Sequence, residues 1–159
     1  MKRIKVFKSS IHGRGIFADE TISKGERITY IRGPIKQKTP RGPRDSKIIG
    51  NWIGVAKDTW IKPEAPYMYL NHSCNPNSAL ITKRLLIALR PIARNEEITM
   101  DYSLTDSDLH WGIRCSCGAR NCRKHIRAIQ TLSPRIFRHY LPHIPPYFQK
   151  VYAKAHTHG

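Results

Sequence analysis

Acidic residues are scarce in this chain, and beyond Asp108 there are none. The 159 residues hold 11 Asp and Glu against 28 Lys and Arg, giving a net charge of +17. Past Asp108 the bases Arg114, Arg120, Arg123, Lys124, Arg127, Arg135, Arg138, Lys150 and Lys154 follow without an acid to offset them. Such a field favours nucleic acid or an acidic surface as partner, although charge alone reads no base sequence. No apolar run approaches the roughly 18 residues of a membrane span, so no membrane partner is expected. The start, Met1 to Phe7, is basic but lacks a long apolar core and a small-residue cleavage site, which argues against a secretory signal. An intracellular setting, cytoplasmic or nuclear, is the resulting expectation. There, clustered cysteines bind metal more often than they pair. Repeats and low-complexity tracts are also missing. The length fits one domain, and a 40% hydrophobic share allows a packed core.

What is present reads first as a mostly β domain. Ile4, Val6 and Ile16-Phe17 are strand candidates around Gly13-Arg14-Gly15. Glu26 to Ile31 is another, entered through Lys24-Gly25. Leu85 to Leu89 is a continuous apolar run, read as a buried strand. Arg94-Asn95-Glu96 turns into a strand over Ile98 to Tyr102. Lys36 to Asp45, with Pro40, Gly42 and Pro43, reads as a loop. Short helices come late. Ser133-Pro134 supplies an N-cap and a first-turn proline, and Pro142 ends that helix. Pro145-Pro146 opens a second, with Tyr147, Phe148, Val151 and Tyr152 on one face. Ala155 to Gly159 reads as frayed.

Only four cysteines occur, and three are packed together: Cys115, Cys117 and Cys122. Gly118 permits the tight turn that lets these three wrap one face of an ion. Zinc takes thiolates and imidazoles and closes structural sites with four ligands. Cys74 is the favoured fourth ligand, with His72, His110 and His125 as rivals. Four thiolates leave no open position, so the zinc is expected to be structural. Using Cys74 and His72 as a nucleophile pair is disfavoured, because they are two apart and Cys74 is better used on zinc.

Three segments then line up in order. They are His12-Gly13-Arg14-Gly15-Ile16-Phe17-Ala18, Asn71-His72-Ser73-Cys74-Asn75-Pro76-Asn77, and Glu96-Glu97-Ile98-Thr99-Met100-Asp101-Tyr102 followed by the cysteine clip. Together they resemble the SET-domain protein-lysine methyltransferases with a post-SET zinc segment. The likeness implies a SET-type fold of small sheets with a pseudoknot, a zinc-bound post-SET segment and short C-terminal helices. It divides the chain into a catalytic domain over 1–108, a zinc segment over 109–128 and a basic helical extension over 129–159. It implies S-adenosylmethionine as methyl donor, contacted by Gly13, Arg14, Gly15, Ile16, Asn71 and His72. Tyr102 takes the place at the transfer centre. Cys74, Cys115, Cys117 and Cys122 hold the zinc. The donor and the substrate lysine enter from opposite faces and meet in a narrow channel.

These residue types suit that chemistry. Methyl transfer from a sulfonium is an in-line displacement and needs a neutral amine. A free lysine, pKa about 10.4, is neutral in only about one molecule in a few thousand at pH 7. A narrow apolar channel lowers that pKa. Tyr67, Tyr69, Met100 and Trp111 are channel candidates, with core packing the default for each aromatic. Met100 stands where relatives usually carry tyrosine or phenylalanine. It brings no hydroxyl, which points towards di- or trimethylation. Ile31, Pro34, Met68 and Lys124 also depart from the family pattern. The expected target is a lysine of a histone or other nucleic-acid-associated protein. The alternative is a non-catalytic zinc-containing basic module that binds nucleic acid.

Overall fold

A computed structural model describes residues 1–37 and 52–157. The apolar residues near the start, alternating with lysines, give strand β1 (Ile4–Lys8), which turns through Gly13 into β2 (Arg14–Ala18). These pair antiparallel from Ile4 opposite Ala18 to Lys8 opposite Arg14. The far edge of β2 takes β10 (Glu97–Met100), again antiparallel, with Ile98 facing Ile16. The other edge of β10 takes β7 (Asn71–His72) in parallel, setting Thr99 beside Asn71 and Met100 beside His72. The resulting four-stranded sheet, in order β1-β2-β10-β7, brings three segments distant in sequence to one place.

A second sheet places β9 (Leu85–Ala88) between β3 (Arg27–Tyr30) and β8 (Ser78–Leu80). Every residue of β9 is buried, as expected of an apolar run in a central strand. A third sheet joins β4 (Ile35–Gln37), β6 (Thr59–Ile61) and β5 (Ile53–Ala56). The inner faces share one core, in which Ile22, Ile28, Ile31, Ile61, Ile92 and Ile98 are fully shielded from water. Each such side chain contributes about 1.5–3 kcal/mol by burial.

Beyond these sheets, β11 (Gly112–Arg114) and β12 (His125–Arg127) form a two-stranded ribbon that holds the cysteine clip between them. Helix α1 (Pro134–Tyr140) starts where Ser133 Oγ accepts the Ile136 N–H. A 3-10 turn over Leu141–His143 containing Pro142 follows, then α2 (Pro146–His156). Phe148 and Tyr152 of α2 pack with Leu104, Ile129, Leu132, Tyr140 and Ile144 into a second core, and Tyr147 and Val151 lie against it.

Four expectations need correction. The strand at Ile98 stops at Met100. Asp101 accepts the Ser103 N–H and caps a 3-10 turn over Tyr102–Thr105, so Tyr102 leaves the sheet. Lys36 and Gln37 are not loop residues but pair with Trp60 and Thr59. The rest of that expected loop lies outside the described residues. The C-terminal helix runs on to His156, where the Thr157 hydroxyl closes onto the carbonyls of Ala153 and Lys154. Finally, β5, β6, β7, β8, β11 and β12 were not foreseen as strands.

Candidate active site and metal centre

The parallel pair β7 and β10 delivers Asn71, His72 and Tyr102 to one end of the first sheet, and the β1–β2 turn delivers Gly13 and Arg14 opposite them. Between them lies a cavity of about 460 Å³. Gly13, Arg14, Tyr69, Asn71, His72 and Tyr102 all line it. Gly15, Ile16, Tyr67, Met100 and Trp111 are not among its lining residues.

The two glycines serve different needs. Gly13 sits at φ +50° with open space where a Cβ would be, so backbone conformation alone favours glycine there. Gly15 is different: a Cβ there would collide with the Glu97 carboxylate. That carboxylate accepts the Ser9 hydroxyl at 2.9 Å and the Asn71 amide at 2.7 Å. The same Asn71 amide nitrogen reaches the carbonyl oxygens of His12, at 3.2 Å, and Arg14, at 3.0 Å. Asn71 therefore ties the glycine turn to β7. Asn77 does the same for β10: its Oδ1 accepts the Thr99 N–H at 2.8 Å, and its Nδ2 donates to the Glu97 carbonyl at 2.8 Å.

Tyr102 is half-buried, and its hydroxyl donates to the Leu70 carbonyl at 2.6 Å. Burial, reinforced by the Glu97 charge, pushes the phenol well above its ordinary pKa. It stays protonated near neutral pH. With its hydrogen spent on Leu70, the oxygen keeps acceptor capacity. Tyr69 sits under the Arg14 guanidinium, 4.1 Å from ring centre to carbon. Tyr67 instead belongs to the core, where its hydroxyl accepts from Thr29 at 3.3 Å. Met100, 1% exposed, also belongs to that core. Trp111 precedes β11, its backbone N–H donating to the Asp108 carbonyl.

Behind Tyr102 is a sulfur cluster. Donor atoms of His72, Cys74, Cys115 and Cys117 all lie within 4.8 Å of one another. Cys122 falls outside that set, although its thiol adjoins those of Cys115 and Cys117 and lies 3.7 Å from the Cys115 carbonyl. Cys74 and Cys115 sulfurs are 3.7 Å apart. Two thiolates each about 2.3 Å from one zinc at the tetrahedral angle would be about 3.8 Å apart, so the spacing fits such an ion. Burial works against ionisation of Cys117, but the N–H groups of Cys74 and Ala119 and the neighbouring thiols outweigh it and bring this thiol to about 7. Burial pushes Cys115 the other way.

His72 separates the cluster from Tyr102. Its Nδ1 accepts the Tyr102 N–H at 3.1 Å, and its Nε2 lies 3.3 Å from the Cys74 sulfur. Burial lowers its pKa to about 4, outweighing the nearby Asp101. The ring is therefore neutral near pH 7. With Nδ1 accepting, the single ring hydrogen is on Nε2, aimed at sulfur.

Three groups of this site carried no role in the sequence. Glu97 is the hub of the glycine turn; an acid in the otherwise apolar Ile98 and Met100 strand is the signal that could have revealed it. Asp101, 1% exposed, accepts Arg123 Nη2 at 2.6 Å and the Ser103 N–H at 3.0 Å. Ile113, Arg114 and Ser116 close the cavity from the clip side.

A family model for the SET domain matches residues 13–103. A Drosophila virilis protein named histone-lysine N-methyltransferase trithorax is 34% identical over 139 residues, covering 77% of this chain and 4% of the relative. The human histone-lysine N-methyltransferase SETD1B is 34% identical over 138 residues, with 77% and 7% covered. The chain thus spans a small fraction of those relatives. Among solved structures, KRYPTONITE in complex with mCHG DNA and SAH superposes with a TM-score of 0.59 at 22% identity, covering 78% of this chain and 29% of that one. A putative histone methyltransferase of Plasmodium falciparum gives 0.51 at 24% identity, covering 64% and 94%.

Proposed function

The chain belongs to the SET-domain family, and from that premise we propose that it is an S-adenosylmethionine-dependent protein-lysine N-methyltransferase acting on a histone or other nucleic-acid-associated protein. The observation that carries this reading is the convergence of Gly13, Arg14, Asn71, His72 and Tyr102 on one cavity of about 460 Å³. That volume is of the order of a pocket for one ligand of cofactor size. S-adenosylmethionine supplies an electrophilic methyl group when bound. Gly13 lets the turn take its left-handed φ, Gly15 leaves room for Glu97, and Asn71 holds that turn beside His72. Ile16 supports the same turn from the core.

Tyr102 is the proposed catalytic residue. Its oxygen, with its hydrogen held by Leu70, offers lone pairs to the incoming lysine amine and so directs that amine along the displacement axis. A phenol whose raised pKa keeps it protonated offers no phenolate near neutral pH, so Tyr102 orients and does not take the proton. Alignment supplies the rate gain; a misplacement of about 1 Å costs about 10²-fold. Tyr69 beside Arg14 is the proposed channel aromatic.

Cys74, Cys115, Cys117 and Cys122 are the proposed ligands of one structural zinc. His72 cannot replace Cys122 while its Nδ1 accepts from Tyr102, because the hydrogen on Nε2 occupies the lone pair a metal would need. We assign 1–108 to catalysis, 109–128 to the metal clip and 129–159 to a basic helical extension.

The test pairs calorimetry with S-adenosylmethionine and a labelled-methyl assay on a histone mixture. The Tyr102→Phe variant should lose about 10²-fold in transfer while keeping cofactor affinity, since the hydroxyl acts on alignment. Equal transfer by that variant, or no affinity for the donor in the wild type, would overturn the assignment.

A further inference from the structure

Two cavities away from the active site flank helix α1. One of about 350 Å³ is lined by Arg123, His125, Arg127, Thr131, Ser133 and Ile136 among others. The second, about 720 Å³, includes Asn121, Ser133, Arg135, Ile136, Arg138 and His139. They share Ser133 and Ile136 and so adjoin at the start of α1. Among the described residues no carboxylate lines either one, and the chain carries no acid beyond Asp108. Arg123 is committed to Asp101, but Arg127, Arg135 and Arg138 are exposed.

We propose that this depression receives the phosphate backbone of duplex DNA. Three guanidiniums, each able to make forked hydrogen bonds to phosphate, stand beside the Ser133 hydroxyl, which accepts the Ile136 N–H and keeps its own hydrogen to donate, and the Asn121 amide, which gives one hydrogen to the Cys74 carbonyl and keeps a second. Proteins that hold single strands stack bases on exposed rings. Here Tyr140 is 7% exposed and the exposed rings are the imidazoles of His125 and His139, so among the described residues no Phe, Tyr or Trp platform is presented. The contact is with backbone and carries no sequence preference. Cys74 lines the larger cavity while His72 lines the catalytic one, so DNA held there is separated from the catalytic cavity by the sulfur cluster. Such a contact also answers an electrostatic difficulty of the proposed function. A chain of net charge +17 repels a basic target, and DNA held on this face offsets part of that charge. The proposal does not depend on catalysis and is measured without cofactor.

The test is fluorescence anisotropy of the whole chain with a labelled duplex of about 20 base pairs, titrated from about 50 to 200 mM salt. Each phosphate contact adds about 0.9 to the slope of log K against log salt, so R127Q/R135Q/R138Q should lower it by about 2.7. The charge-preserving R127K/R135K/R138K should keep the wild-type slope. S-adenosylmethionine affinity, read by calorimetry, should match wild type in both variants, which separates failure here from failure of the methyltransferase reading. An unchanged slope in the glutamine variant overturns the proposal. So does tighter binding of single-stranded RNA, or of polyglutamate, than of the duplex.

Discussion

The buried pair Asp101–Arg123 offers a sharp test of how the metal clip supports the transfer centre. Asp101 Oδ1 accepts Arg123 Nη2 at 2.6 Å, and the two side chains are 1% and 17% exposed. Asp101 sits between Met100, the end of β10, and Tyr102, and it caps the turn that Tyr102 opens. Arg123 follows Cys122 and donates its backbone N–H to the Cys74 sulfur at 3.3 Å. One ion pair thus joins the clip to the residue before Tyr102. Replacing Arg123 with methionine keeps the apolar bulk and strands a buried carboxylate. Removing one partner of such a pair costs about 3–5 kcal/mol. For a domain of this size about 2–4 °C is lost per kcal/mol, so Arg123→Met should lower the melting temperature by roughly 6–20 °C. Asp101→Asn removes the stranded charge, so R123M/D101N should recover much of that loss. The coupling between the two sites, read from a double-mutant cycle, should reach about 2 kcal/mol. Thermal and urea unfolding of the four proteins, each loaded with zinc, measure it. Additive single effects, with the double variant no more stable than Arg123→Met alone, would refute the reasoning.

Burial lowers the His72 pKa from 6.5 to about 4. A histidine that charges less readily when folded contributes full stability above about pH 6.5, lost as pH falls towards 4; the difference is worth about 3 kcal/mol. Urea unfolding of wild type and His72→Gln between those pH values should show the variant with the flatter profile; parallel profiles would reject the buried neutral ring. Gly15→Ala should displace the Glu97 carboxylate, weaken its bonds to Asn71 and Ser9, and cost about 2 kcal/mol together with cofactor affinity, whereas Gly13→Ala meets no atom and should cost about 1 kcal/mol of backbone strain. Denaturant unfolding and calorimetry of both variants decide it, and equal losses would contradict the structure. Chelation should release about one zinc per chain and lower the melting temperature, with Cys122→Ser losing the ion and His72→Gln keeping it. Metal retention in the first and loss in the second would exchange their roles.

What the sequence could disclose depended on whether a residue's environment is set by its neighbours in the chain or by segments far away. The buried β9 was legible because Leu85 to Leu89 needs no partner to declare itself apolar. The α1 start was legible because Ser133 and Pro134 act on their own helix. Pairing of β7 with β10 was not, since two residues, Asn71 and His72, carry no periodicity; only the resemblance brought those segments together. Asp101 and Arg123 look like ordinary surface charges, and each is buried only because the other, 22 positions away, folds against it. Glu97 was legible only in part. An acid at the head of an apolar strand marks the position, but nothing local shows that Asn71 and Ser9 hold it or that it fills the space that Gly15 leaves. Strand propensity likewise extended β10 through Tyr102, because nothing local shows Asp101 turning to accept the Ser103 N–H. The site is therefore written in the chain as residue types at fixed spacing. Its rigidity is written in polar pairs formed across the fold, and those pairs are where substitution will separate a bound donor from a transferred methyl group.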